Sequence, residues 1–236
     1  MPATAYETAT RKVSQQRARS VEDKDLRRAH LIDAATRLFA DSNFEAVTIA
    51  RVADLAGVAK GTAYLYFATK ETLFLELARA ELTLWVQALT KKLKRLRPGS
   101  GSGHLARSVP LAMARCAAER PGLGRLLVLL HSVIEPKIDE SAARDFKLYL
   151  RDLLTQASEA IARKIPGLNA QDAATLVLQM HALVISLSQL ANPPPVIARV
   201  MADDPSLHAM QIDFESFLAA TLTTLVRGML AAKTEG

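Results

Sequence analysis

Apolar positions recur three and four residues apart along nearly the whole chain, the spacing of one face of a helix. Between Lys24 and Asp41 they fall at Leu31, Ala34, Ala35, Leu38 and Phe39, which predicts a first helix. Thr48 is placed to cap a second, Ile49 to Leu55, because its hydroxyl can accept a free first-turn N–H. Ala56-Gly57-Val58 reads as a tight turn, with Gly57 supplying a positive φ. A third helix is expected from Ala59 to Phe67, and a fourth, capped by Thr69, from Lys70 to Leu96. Arg97-Pro98-Gly99-Ser100-Gly101-Ser102-Gly103 is the clearest break in the pattern. Beyond it the spacing predicts five helices, over 104–119, 122–134, 140–164, 170–190 and 207–232. Pro110 is expected to kink the first of these, and the Pro193-Pro194-Pro195 run to separate the last two. No stretch alternates β-branched and polar residues between turn signals, so the expected fold class is all-α.

Composition narrows this picture. Half of the 236 residues are apolar, enough to bury a real core. The one cysteine, Cys116, excludes an internal disulfide and a multi-cysteine zinc site, and suits a reducing, cytoplasmic setting. Residues 1–23 read as a flexible arm carrying Arg11, Lys12, Arg17 and Arg19, without the apolar middle of a secretory signal. Such an arm can enter a minor groove or remain a solvated tail. The most apolar stretch, Ala173 to Ala191, is interrupted by Gln179, His181, Ser186, Ser188 and Gln189, so it reads as a buried helix and not as a membrane span.

Charge is distributed unevenly. Residues 1–97 hold 17 Lys and Arg against 11 Asp and Glu, while residues 98–236 are balanced at 13 and 13. The whole net charge of +6 therefore lies in front, which points to an anionic partner for that part alone. Residues 55–70 contain no acid, although a solvated helix face normally carries several. Within them the third helix offers Lys60, Gly61, Thr62, Tyr64 and Tyr66. An acid-free surface of this kind suits approach to phosphates, and short residues at 61 and 62 let the backbone come near base edges.

The stretch from Thr48 through Val52-Ala53, Ala56-Gly57-Val58 and Lys60-Gly61-Thr62-Ala63-Tyr64-Leu65-Tyr66-Phe67 to Lys70-Glu71 and Leu73-Phe74 resembles the DNA-binding domain of TetR-family bacterial regulators. The resemblance covers about residues 26–77. It implies a helix-turn-helix DNA-binding domain over 24–70 and a helical regulatory and dimerisation domain over 71–236. It further implies that Thr48 contacts phosphate, that Lys60, Gly61, Thr62 and Ala63 face the major groove, that Tyr64 and Tyr66 reach phosphates through their hydroxyls, and that Lys70 anchors a phosphate. Arg51, one turn into the second helix, joins these as a candidate contact. Two positions depart from the family pattern. Ala59 stands where a capping Ser or Thr is common, at a cost of about 1 kcal/mol, and Leu65 where a second aromatic is common.

For the rear domain the resemblance implies a homodimer built from its last two long helices, whose apolar residues include Leu176, Leu183, Leu187, Phe214, Phe217, Leu218, Leu222 and Leu225. An internal core must claim some of the same residues. Polar or aromatic side chains on otherwise apolar helices nominate an effector pocket: Trp85, Met113, His131, Phe146, Tyr149, Met180 and His181. His131 and Glu135 have metal-ligand spacing but no evident third ligand, so no metal site is expected. No phosphate loop, nucleophile elbow or catalytic carboxylate pair is present, and neither cofactor nor enzymatic activity is expected. The expected partners are double-stranded operator DNA, a small and mostly apolar effector and a second copy of the chain. The expected role is a repressor released from DNA by that effector. A ligand-independent regulator or activator is the alternative reading, followed by a small-molecule-binding helical protein or enzyme.

Overall fold

The computed structural model describes residues 23–97 and 103–233, among which there is no strand. The expected basic arm, Asp23 apart, lies outside the described residues, as do 98–102 of the predicted break. The chain forms two compact units that divide after Leu77. This places the first two turns of the fourth helix, and not only its start, with the first unit.

The first unit contains α1 (23–40), α2 (Ile49–Ala56), α3 (Lys60–Tyr66) and the opening turns of α4 (Lys70–Arg95). Leu31, Ala34, Ala35 and Phe39 of α1 are buried, the expected stripe; Leu38 stays half-exposed at its edge. Phe74, fully buried, is the hub of this core. Phe39 and Phe44 meet it edge to face, at centroid distances of 5.2 and 4.7 Å, a geometry that adds to simple area burial. Val52 and Ala53 are buried between the short helices, and Ala56 and Val58 are half-buried.

The turns follow their local chemistry. Thr48 caps α2 by accepting from the Arg51 N–H at 3.2 Å. Gly57 closes α2 at φ 68°, ψ 30°, in the left-handed region, and donates back to Ala53 and Asp54 carbonyls. A Cβ there would meet no atom within 4 Å, so the requirement for glycine is conformational and not steric. Thr69 and Thr72 cap α4 reciprocally, each hydroxyl accepting from the other's N–H, at 3.1 and 3.3 Å. Ala59 precedes α3 in extended conformation and gives it no side-chain cap.

The second unit contains the rest of α4, then α5 (His104–Ala118), α6 (Pro121–Leu129), α7 (Glu140–Ala162), α8 (Ala170–Leu190), α9 (Pro195–Asp203) and α10 (Phe214–Ala232). α10 packs on α5 and α8, and α8 on α7 and α6. Pro110 sits buried inside α5 without ending it. The helix expected over 122–134 changes character at its end: Leu130–Ile134 form a π turn, followed by a 3-10 turn over Glu135–Lys137. Pro136 explains this, because in a regular α-helix its ring would press on the carbonyl of Ser132 four residues back.

The Pro193-Pro194-Pro195 run does not merely separate two helices. Pro195 opens α9, a helix absent from the expected set, because the first helical position needs no N–H and favours the proline φ. A 3-10 turn, Pro205–Met210, then occupies the start of the expected last helix, and α10 begins at Phe214, capped by Asp213. Leu176, Leu187, Leu218 and Leu222 are buried within the chain's own core. They are therefore removed from the set expected to face a second copy. Ala170–Ala191 is, among the described residues, the one segment long and apolar enough to cross a membrane by composition. Here it lies against α6, α7 and α10, and its first turn carries Asp172 paired with Lys233.

Candidate nucleic-acid interface and effector cavity

α3 is held from behind and open in front. Ala63 is fully buried, Phe67 nearly so, and both anchor α3 to the aromatic core. Lys60, Gly61, Tyr64 and Leu65 are exposed, and Thr62 and Tyr66 half-exposed. The burial of Ala63 corrects its expected place among the groove-facing residues: with no exposed surface, its methyl is turned into the core. Leu65, at 87% exposure, is instead the most exposed large apolar side chain among the described residues.

The flanking candidates surround this face. Thr48 is exposed, but its hydroxyl oxygen is engaged as the cap of α2. Its O–H can still donate outward. Arg51 is exposed and donates to the Ala46 carbonyl through one guanidinium nitrogen. The Lys70 ammonium stands 3.9 Å from the centre of the Phe44 ring, a cation–π contact that fixes the start of α4. Arg28 adds a second, 5.8 Å over Phe67, and pairs with Glu76.

In the second unit a cavity of about 520 Å³ opens between four elements. α4 contributes Leu82, Trp85 and Val86; the π turn Leu130 and His131; α7 Lys147, Leu150, Arg151, Leu153, Leu154 and Ala157; α8 Val177, Leu178 and His181. Of the pocket residues nominated from sequence, it brings together Trp85, His131 and His181. Met113, Phe146, Tyr149 and Met180 do not line it. Met113, Phe146 and Met180 are packed in the core. Tyr149 instead donates its hydroxyl to the Arg79 carbonyl at 2.7 Å, where Thr83 also donates at 2.8 Å, tying α7 to α4. The Arg79 guanidinium covers the Tyr149 ring at 4.7 Å. Sequence reasoning missed Lys147 and Arg151, which line the cavity beside His131 and His181 and pair with Glu135 and Asp152.

One wall of the cavity carries a continuous polar chain. His181 Nε2 lies 2.9 Å from His131 Nε2, His131 Nδ1 lies 3.0 Å from Glu135, and Lys147 donates to the other Glu135 oxygen at 2.6 Å. Burial acts to raise the Glu135 pKa, but hydrogen bonds from Lys147 and His131 outweigh it and hold the carboxyl below its ordinary range. Burial pushes the His181 imidazole down, repulsion from His131 and Lys147 adds to this, and Glu135 opposes it. Cys116 is buried, and burial raises its thiol pKa, so it is an inert packing residue. No group of three or more His, Cys, Asp or Glu among the described residues is arranged to hold a metal ion.

Comparisons with known proteins bear on both units. Residues 31–77 match the family described as bacterial regulatory proteins, tetR family, and residues 79–233 the tetracyclin repressor-like C-terminal domain. The fatty acid metabolism regulator protein of Bacillus subtilis is 31% identical over 64 residues, 27% of this chain and 33% of that protein. The HTH-type transcriptional repressor AcnR of Corynebacterium diphtheriae is 36% identical over 56 residues, 24% of this chain and 30% of that protein. The match thus spans about a third of the length of these curated relatives. The crystal structure of the transcriptional regulator FadR from Bacillus subtilis in complex with stearoyl-CoA covers 84% of this chain and 96% of that one, with TM-score 0.51 and 16% identity. That likeness is one of fold. With its helix-turn-helix and its helical second unit both matched along most of its length, the chain belongs to the TetR family of bacterial regulatory proteins.

Proposed function

We propose that the protein is a cytoplasmic, homodimeric transcriptional repressor that leaves its operator when a small, mostly apolar effector fills the cavity of the second unit. The observation that carries this reading is the outer face of α3: Lys60, Gly61, Tyr64 and Leu65 exposed on a helix that Ala63 and Phe67 lock from behind, in a segment without acids. Lys60, Gly61 and Thr62 are the groove-facing residues, and Thr48, Arg51, Tyr64, Tyr66 and Lys70 the backbone contacts that set register. A relative named as a transcriptional repressor supports the sign of regulation. The apolar cavity supports the effector.

The second copy is supported by what the second unit leaves uncovered. α9 buries no residue, and Val196, Ile197, Val200 and Met210 are exposed along it and the turn that follows. Phe217 and Leu190 add exposed apolar surface on α10 and α8. A two-fold pair would cover such surface and present two α3 helices to successive major grooves, about 34–36 Å apart or a multiple of that.

The test is retention of sheared DNA from the source genome. Lys60→Ala with Tyr66→Ala is expected to lower retention about 100-fold, with an unchanged thermal melt and a shallower salt dependence. Unchanged retention in that double variant overturns the assignment of α3. Sedimentation that gives a monomer at micromolar concentration overturns the dimer.

A further inference from the structure

The polar chain on the cavity wall constrains its own protons. Ionised Glu135 can only accept, so His131 carries hydrogen on Nδ1. In neutral His131 the Nε2 is then a bare acceptor, and the 2.9 Å contact requires His181 to donate from its own Nε2. His181 is left with a lone pair on Nδ1. Adding one proton at His131 reverses this. His131 then donates from both nitrogens, His181 accepts at Nε2, and its Nδ1 must carry the hydrogen. A single proton therefore converts Nδ1 of His181, a residue that lines the cavity, from an acceptor into a donor.

We propose that the cavity takes an amphipathic monoanion, an apolar body ending in a carboxylate or similar acid, and that its binding draws one proton onto the His131–His181 pair. This rests on the effector reading of the same cavity. The apolar body is matched by Leu82, Val86, Leu150, Leu154 and Val177. The acidic head is matched by the basic groups at the wall, Lys147 and Arg151 of α7, His181 of α8 and His131 of the turn between α6 and α7. Lys147 and Arg151 are already charged and paired with Glu135 and Asp152, so of the basic groups lining the cavity the His pair is the one that can gain charge when an anion enters. α4 faces the cavity with Leu82, Trp85 and Val86, none of which titrates. Without an anion, burial first, then repulsion from His131 and Lys147, hold the His181 imidazole below its ordinary range. An anion beside it reverses that balance by direct attraction.

Binding takes up a proton, so the added affinity is greatest at low pH and is lost as pH rises, by at most about tenfold per pH unit for one proton.

Trp85, the chain's one tryptophan, lines the cavity and reports its filling by fluorescence. The probes are decanoate, 1-decanol and decylamine, titrated between pH 5.5 and 8.5. Decanoate is expected to bind up to tenfold more weakly per unit of rising pH, with close to one proton taken up by calorimetry in buffers of different ionisation enthalpy. Decanol is expected to bind without pH dependence, and decylamine more weakly than either. His181→Gln, which keeps a polar side chain of similar length, is expected to flatten the pH profile of decanoate binding and to abolish its proton uptake. Decanoate binding without proton uptake, or a preference for decylamine, overturns the proposal while leaving an effector cavity in place. Failure of all three to bind, by emission and by heat, overturns the cavity's effector role as well.

Discussion

The two units solve different problems with the same helical material. The first is small, and its core turns on one residue: Phe74, gripped edge to face by Phe39 and Phe44, with Val47, Ala53 and Ala63 filling the gaps between short helices. Its candidate contact residues are local in sequence, within Thr48 to Lys70, and centred on a helix of seven residues. The second unit spreads its packing over long helices and leaves a cavity among them. Its polar chain joins residues fifty positions apart, His131 and His181, through α8 and the end of α6. A surface that must meet a regular polymer can be written in one stretch. A cavity that encloses a small molecule has to be assembled from several.

The contrast can be broken first at Phe74. Phe74→Ala removes the hub of a core too small to redistribute the loss, and is expected to cost about 3–5 kcal/mol. Hydrogen exchange read by segment should show amides of α2 and α3 opening while those of α6 and α8 stay protected. Equal loss of protection in both units would show that they fold as one cooperative body.

The corresponding point in the second unit is Gly124, where α6 passes close to α8. A Cβ there would stand 1.8 Å from Ser188 Oγ and 2.6 Å from Ser188 Cβ, so the helices must part or Ser188 must move. Gly124→Ala is expected to cost about 1–3 kcal/mol, with exchange rising in α6 and α8 and not in α3. Ser188→Gly, which removes both clashing atoms, is expected to restore part of the loss. A neutral Gly124→Ala in thermal melts would mean that α6 is free to shift.

The smallest effect sharpens the contrast from the other side. Ala59 leaves α3 without a side-chain cap. Ala59→Ser is expected to stabilise the first unit by about 0.5–1 kcal/mol, seen as a rise of a few degrees in its melting temperature and no change in the second unit's exchange. No gain would mean that the extended backbone at 59 cannot aim a hydroxyl at the first-turn amides.

The same difference governs what could be read in advance. The caps at Thr48 and Thr69, the turn at Gly57 and the bounds of α1 to α4 follow from nearest-neighbour chemistry, and they are legible in the sequence to within a residue or two. Ala63 was misplaced because a methyl on a short helix carries no mark of which side it faces; only tertiary packing decides it. In the second unit the helices were legible by periodicity, but not which apolar face each one buries. Leu176 and Leu218 read equally well as internal core or as interface. α9 was hidden by its prolines, which signal a break until the last of them is recognised as a helix start. Trp85, His131 and His181 stood out as unusual residues on apolar helices, whereas Lys147 and Arg151 had nothing unusual about them until their neighbours across the cavity were known.

The π turn at Leu130–Ile134 has a consequence for how such a cavity can diversify. A π turn is an α-helix holding one residue more than its pitch allows. Here the extra residue lies beside Pro136, where the helix cannot continue regularly. Deleting Ser132 would rewind the segment and swing His131 by roughly 100° relative to Glu135, at 3.6 residues per turn. Two relatives that differ only by that codon would then present different polar groups to the cavity without any substitution in its walls. In an alignment the change appears as a one-residue gap at the end of α6, in a place where gaps are usually dismissed as loop variation.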